Sequence, residues 1–408
     1  MPGLPRCEGG GVKLFGPLCV AAAMSMAAMR ACDALLPALS ADFDVPVGVA
    51  ARSISAFVLT YGVMQLVFGP LGDRFGKLRV VAVALSACSL ANVMAAFAPT
   101  MTSLAVARGL SGAAAAGVIP MSMAIIGDTV SVEHRQQTLA YFLLATIGGL
   151  IGGQWVSGLM ADFLHWRAVF GVLAIGSGIA ALLVHAHASV RTAPESERCK
   201  CQAGFRTVLK APQARLVLAV TAIEGLFTLT GFAFVPAYLH NRFGLGLAAA
   251  GAVMAMYGVG GLAYVTLSRV LIQRLAPGTL ASLGGVLLGF AFAIVAIGPR
   301  WEWSVVGCFL GGLGFYTLHN TLQAQATEMS PQARGTAVGL FAASLFLGQA
   351  IGMGMAVGVI GAFGERSLFY AAAVVLPMLA TAFGRKLRMG ASMCCRGQGK
   401  RMTRGRAP

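Results

Sequence analysis

The sequence predicts an all-α membrane protein, with twelve transmembrane helices in two pseudo-symmetric six-helix bundles. Three observations predict it. Of 408 residues, 57% are hydrophobic and only 11% are charged, against about 25% charged in a soluble domain. The apolar residues gather into twelve nearly uncharged stretches of about 20 residues, the length that lets a helix cross about 30 Å of hydrocarbon. Features of the first six stretches recur in the last six at a nearly constant spacing. A membrane β-barrel does not fit, because the stretches are too long and do not alternate polar with apolar residues.

In chain order the stretches are 15–39, 49–71, 80–98, 102–127, 138–161, 168–188, 215–239, 247–271, 279–299, 304–327, 336–361 and 367–384. The first carries Arg30 and Asp33 and leads into further spans, so it reads as a span and not as a cleavable signal peptide. Between the second and third lies Gly69-Pro-Leu-Gly72-Asp73-Arg74-Phe-Gly76-Lys77-Leu-Arg79. Charge this dense in so apolar a chain belongs at a water boundary. The fourth carries Arg108. The fifth is rich in glycine (Gly148, Gly149, Gly152, Gly153, Gly158), as is the eleventh (Gly348, Gly352, Gly354, Gly358), and small residues let helices approach closely. The polar segment 189–213, with Pro194 and Pro212, is expected to link an amino-terminal bundle (1–188) to a carboxy-terminal one (214–388). Residues 389–408 are expected to form a basic tail.

The halves read as repeats. Tyr61-Gly62-Val63 and Leu66 recur 196 residues later as Tyr257-Gly258-Val259 and Leu262. Asp128 and Glu328 stand 200 apart, as do Pro99 and Pro299, and Gly153 and Gly352 stand 199 apart. Duplicated halves with sites at their interface are a recurring transporter design.

The formal charge of +16 raises the question of nucleic acid, and its distribution answers it. With both ends on one side, 23 Lys and Arg fall on that side, five on the other and two inside spans. This asymmetry predicts that both termini are cytoplasmic, and a multi-pass protein of the cell inner (plasma) membrane is expected. The basic tail is then expected to touch membrane lipids and not nucleic acid. Cysteines Cys199, Cys201, Cys394 and Cys395 fall in segments expected to be cytoplasmic, where thiols stay reduced, and lack zinc-site spacing. No metal or cofactor is expected.

Charges inside a bilayer cost about 2.5–3.5 kcal/mol on insertion scales and mark candidate sites. Four stand out: Arg30, Asp33, Arg108 and Glu224. Asp33 and Arg108 each lie about six residues from the outer boundary, so an ion pair between them, direct or water-bridged, is geometrically open. Arg30, three residues before Asp33, is an alternative partner. Glu224 has no basic neighbour within its span and suits proton coupling. In the tenth stretch His319 and Gln323 share a face, with Asn320 beside them, as candidates for substrate contact. Gln154 and Tyr61 join them. No phosphate-binding loop, His-Glu-x-x-His or Gly-x-Ser-x-Gly pattern is present, so neither ATP hydrolysis nor enzymatic chemistry is expected.

These motifs resemble those of the major facilitator superfamily over essentially the whole chain. The loop between spans 2 and 3 is its most specific element. The resemblance implies that Asp73 stabilises the outward-open state through contacts with the loop arginine and the start of span 11, with Gly69, Arg74, Gly76, Lys77 and Arg79 completing a gating motif. Leu104-Ala-Val-Ala-Arg108-Gly-Leu-Ser111-Gly112 is similar to a second motif of that family, whose arginine is associated with proton coupling. Ser111 stands where glutamine is usual. Asp33-Ala-Leu-Leu-Pro37 resembles the start of twelve-span drug:proton antiporters and sugar-efflux proteins. Their Gly-Pro element in span 5 appears here as Gly153-Gln154.

The expectation is a secondary transporter that exports a small amphipathic or drug-like solute in exchange for protons, working as a monomer by alternating access. Asp33, Glu224, Arg108 and Arg30 are the expected proton-coupling residues. Arg108, His319, Asn320, Gln323, Gln154 and Tyr61 are the expected substrate contacts. An uptake symporter or uniporter is the alternative. A solute sensor would need an output domain, for which neither the linker nor the tail is a good candidate.

Overall fold

A computed structural model of the chain describes residues 11–187, 205–329 and 334–404, and among them every regular element is helical. Most of the linker with Cys199 and Cys201, the side chain of Asp73 and the side chains of residues 390–408 lie outside the described residues.

Span 1 is Gly11–Arg30 and, after a break, Leu36–Asp42. Span 2 is Arg52–Phe75, preceded by the single turn Val47–Ala50. Span 3 is Lys77–Ala96, and span 4 is Met101–Ala115 continued by Val118–Thr129. Spans 5 and 6 are Val132–Phe163 and Trp166–His185. A short helix, Phe205–Lys210, occupies part of the linker. Span 7 runs as Pro212–Glu224, a π-helical turn Gly225–Leu229, and Thr230–Phe243. Spans 8 to 12 are Leu247–Arg274, Pro277–Ile297, Glu302–Glu328, Arg334–Phe363 and Arg366–Arg404.

Among the described residues, ten helices are long and apolar enough to cross a membrane. The two expected spans that fall short do so for visible reasons. Span 1 is cut by its break, and span 10 carries His319, Asn320, Gln323 and Gln325. Span 12 overruns its expected end, since its helix continues through Arg404.

Local chemistry sets the element ends. Thr100 and Ser103 form a reciprocal capping box at the start of span 4, which satisfies two otherwise orphaned amides. Gly76 takes φ +87° between spans 2 and 3, a conformation open to glycine at no steric cost. Gly244 closes span 7 in the left-handed region.

The buried apolar residues form two clusters. One is built mainly from spans 1 to 6 and the other mainly from spans 7 to 12. Within the first half, span 1 packs on 5 and 6, span 2 on 4, and span 3 on 4 and 6. Within the second, span 7 packs on 11, span 8 on 10, and span 9 on 10 and 12. The halves meet through spans 2 and 11 and through spans 5 and 8.

The repeat is visible in the packing. Gly149 and Gly153 of span 5 press against the backbone of Ala23 and Ala27 in span 1. Gly348 and Gly352 of span 11 press against Ala222 and Leu226 in span 7. Each residue of the second set stands 199 positions after its counterpart. Likewise Gly112 meets Phe57 and Gly312 meets Tyr257, a shift of 200. The other glycines of these spans are not close contacts: Gly148, Gly152, Gly354 and Gly358 have open space where a Cβ would stand.

The seam between halves is tight on the side away from the 2–3 loop. There Gly48 meets Val357, and Gly158 meets Leu247. The Asp162 carboxylate accepts the backbone N–H groups of Leu247 and Ala248 at 3.0 and 2.7 Å. Midway, Gly62 meets Phe346 and Gly258 meets Ile151. Toward the 2–3 loop the packing loosens: a Cβ added at Gly339 would lie 3.9 Å from the Leu66 side chain, and one added at Gly69 would meet open space.

Candidate functional site

Proline 37 explains where the first polar cluster forms. Its ring lacks an amide hydrogen and collides with the carbonyl four residues earlier, which is that of Asp33. The helix therefore stops at Arg30 and restarts at Leu36, with Asp33 in the break. Pro120 stands in the same relation to Ala116, where span 4 is interrupted. Span 7 has its own irregularity. Glu224 is the last α-helical residue before the π-helical turn, a distortion often found at functional sites.

Asp33 is fully buried. Its Oδ2 lies 3.5 Å from Nη1 of Arg30 and accepts a hydrogen bond from Nε2 of Gln154 at 3.4 Å. Its Oδ1, the Nε of Arg30 and the Oε1 of Gln154 have no hydrogen-bond partner. Between the two open partnerships, the structure selects Arg30. The direct Asp33–Arg108 pair is not formed. Arg108 is fully buried and stays within electrostatic range of Asp33. Its Nε donates to the Ser53 carbonyl at 3.4 Å, and its guanidinium lies 4.3 Å from the Phe57 ring centroid. Two aromatic rings, Phe57 and Phe170, hold the cation by its face, and both of its terminal nitrogens are unpartnered.

Glu224 is fully buried and does have a partner, contributed by another span. Nδ1 of His319 lies 3.0 Å from its Oε2. The imidazole stacks on Phe315 and packs against Phe341, with centroids at 4.9 and 5.0 Å. Glu224 Oε1 is unpartnered. The Tyr257 hydroxyl, also buried and unpartnered, lies within electrostatic range of both Asp33 and Glu224.

The remaining expected residues divide. Tyr61 is buried at the seam, its ring 4.7 Å from Phe346 of span 11. Asn320 does not reach the clusters, because its Nδ2 donates to the Tyr316 carbonyl one turn earlier on its own helix. Gln323 is exposed and apart from the Glu224–His319 pair. In the loop motif, Lys77 pairs with Asp128 at the end of span 4 at 2.6 Å, and Arg74 lies over the Phe75 ring. Arg79 is exposed, and the expected contact of Asp73 with span 11 lies outside the described residues.

Gln349 of span 11 escaped the sequence reading. It is fully buried, with both amide atoms unpartnered. The available signal was a lone glutamine in an apolar span, 195 positions after Gln154. Among the described residues no cluster of metal-ligating side chains is found.

Comparison with known proteins follows the same architecture. The Major Facilitator Superfamily model matches residues 18–353. The chain is 26% identical over 254 residues to YwfA, an uncharacterized MFS-type transporter of Bacillus subtilis, covering 60% of this chain and 62% of that protein. It is 28% identical over 166 residues to a multidrug transporter of Candida glabrata, covering 40% of this chain and 30% of that one. The matches thus span less than two thirds of these relatives. Among solved structures, the nucleoside transporter NupG superposes with a TM-score of 0.75 at 14% identity, covering 91% of this chain and 98% of that one.

Proposed function

The chain belongs to the major facilitator superfamily, and from that premise we propose that it exports a small amphipathic or drug-like solute in exchange for protons, by alternating access. The observation that carries this reading is a pair of buried carboxyls, one in each half. Each stands at an irregularity in the first span of its half, and each is coupled to a basic side chain: Asp33 to Arg30, and Glu224 to His319. A carboxyl that exchanges its proton for a solute needs burial, a partner able to compensate its charge, and a backbone that is not locked in a regular ladder. Both sites have all three.

In this reading the substrate lies between the halves, near Asp33, Arg30, Gln154, His319 and Glu224. Arg108 holds positive charge beside Asp33, so that loss or gain of a proton there is felt by substrate. Broken spans near the midplane are a common way to build such sites. Charge crossing the membrane supplies about 2.3 kcal/mol per 100 mV, enough to drive accumulation. The positive-inside asymmetry supports an inner-membrane location with cytoplasmic ends, and a duplicated core supports a monomer. The multidrug relative favours export.

One observation favours an uptake symporter instead. Gln154 occupies the position where the antiporter element has proline, and it binds Asp33 directly.

The test is proton release at weakly buffered pH from purified protein titrated with lipophilic cations and neutral solutes, with Asp33→Asn and Glu224→Gln alongside. Export by exchange predicts release on binding that one of these variants abolishes. Binding without release in any variant overturns it.

A further inference from the structure

We propose that an anionic two-chain phospholipid binds at Arg79, its chains lying in two grooves on either side of span 3. One groove, of about 1050 Å³, runs along the seam of spans 3 and 6 from Arg79 and His185 to Ser89 and Gly178. The other, of about 570 Å³, lies between spans 2, 3 and 4 and runs from Arg79 and Phe75 to Ala87. Arg79 and Val83 line both.

Three features point to this occupant. The first is depth. From Arg79 to Ser89 is ten residues, about 15 Å of helix, half of a hydrocarbon core about 30 Å thick. The first groove is therefore about as long as one leaflet is deep, and the second, eight residues from Arg79 to Ala87, reaches about 12 Å. The second is the free cation. Among the described residues Arg79 is exposed and makes no hydrogen bond or ion pair, whereas its neighbour Lys77 is neutralised by Asp128. His185, also exposed, adds a second nitrogen donor at the same end. The third is position. Both grooves open outward to where acyl chains lie, on the leaflet beside the 2–3 loop, read above as cytoplasmic, where anionic lipids attract basic residues. Arg79, expected to belong to a gating relay, is thus turned toward lipid.

The test is native mass spectrometry of the full-length protein in detergent, offered phosphatidylglycerol or phosphatidylcholine, with inorganic phosphate as competitor. The wild type is expected to retain phosphatidylglycerol at least tenfold better than phosphatidylcholine, unaffected by phosphate. Arg79→Gln combined with His185→Gln should abolish that preference. Val83→Trp, at an exposed position shared by both grooves, should reduce retention of either lipid without touching the packed core. Equal retention of the two lipids by the wild type, an undiminished preference in the double variant, no effect of Val83→Trp, or displacement by phosphate would each overturn the proposal.

Discussion

Asp33 and Glu224 are compensated in different ways, and the difference is measurable. Asp33 faces a guanidinium on its own span, that of Arg30. Glu224 instead faces an imidazole contributed by another span, His319 of span 10. Breaking a buried pair by removing one member costs about 3–5 kcal/mol. His319→Ala is therefore expected to lower the thermal midpoint clearly, whereas Glu224→Gln combined with His319→Gln should restore most of the loss. A double variant no more stable than His319→Ala would show that the pair is not a coupled unit. At the rim, burial raises the Glu365 carboxyl above its ordinary value, and the hydrogen bond from Asn241 at 2.7 Å only partly offsets this. A raised carboxyl favours the folded state below its unfolded value, and the benefit fades as pH rises through the folded one. Glu365→Gln should therefore gain stability over wild type as pH rises from 4 to 8, by less than about 1 kcal/mol at this partly exposed site. Thermal midpoints across that range check it, and a gain that shrinks with pH would contradict the sign.

Among the helices, the decisive choices are where glycine allows contact and where proline forbids continuity. Gly149 and Gly348 leave no room for a side chain against Ala23 and Ala222, while Gly152 has open space. Overpacking typically costs about 1–3 kcal/mol, so Gly149→Val and Gly348→Val should each lower the thermal midpoint. Gly152→Ala should leave it unchanged or slightly raised, since alanine is the better helix former. Equal effects at all three positions would mean that the close approaches are not what holds these spans together. Pro37→Ala removes the steric cause of the break at Asp33. Transport should lose its pH dependence if the break is what presents Asp33 to the centre, and retain it if the break is incidental.

At the scale of the whole molecule, the two halves are latched on one side. Asp162 receives two amide hydrogens from the start of span 8, where the helix dipole also attracts its charge. Hydrogen bonds to a charged group contribute about 1.5–3 kcal/mol. Asp162→Ala should therefore shift the population toward a state open on that side. Probes at Pro99 and Arg300 would report it as an increased distance, and an unchanged distance distribution would deny the latch any conformational role. Much of this architecture was legible beforehand: the all-helical membrane fold and the repeat, whose spacing reappears in the packing of Gly149 with Ala23 and Gly348 with Ala222. The four buried charges were legible too, because an ionisable residue in an apolar run is conspicuous in one dimension and is costly at that depth. Their partners were not. Arg30 and Arg108 were equal candidates for Asp33 until the break at Pro37 set which cation it meets, and His319 lies 95 positions from Glu224. Span length, hydropathy and charge count are properties of a segment against the bilayer, and the sequence alone determines them. Which charge faces which depends on how each helix is rotated and broken against its neighbours, and only the tertiary structure decides that.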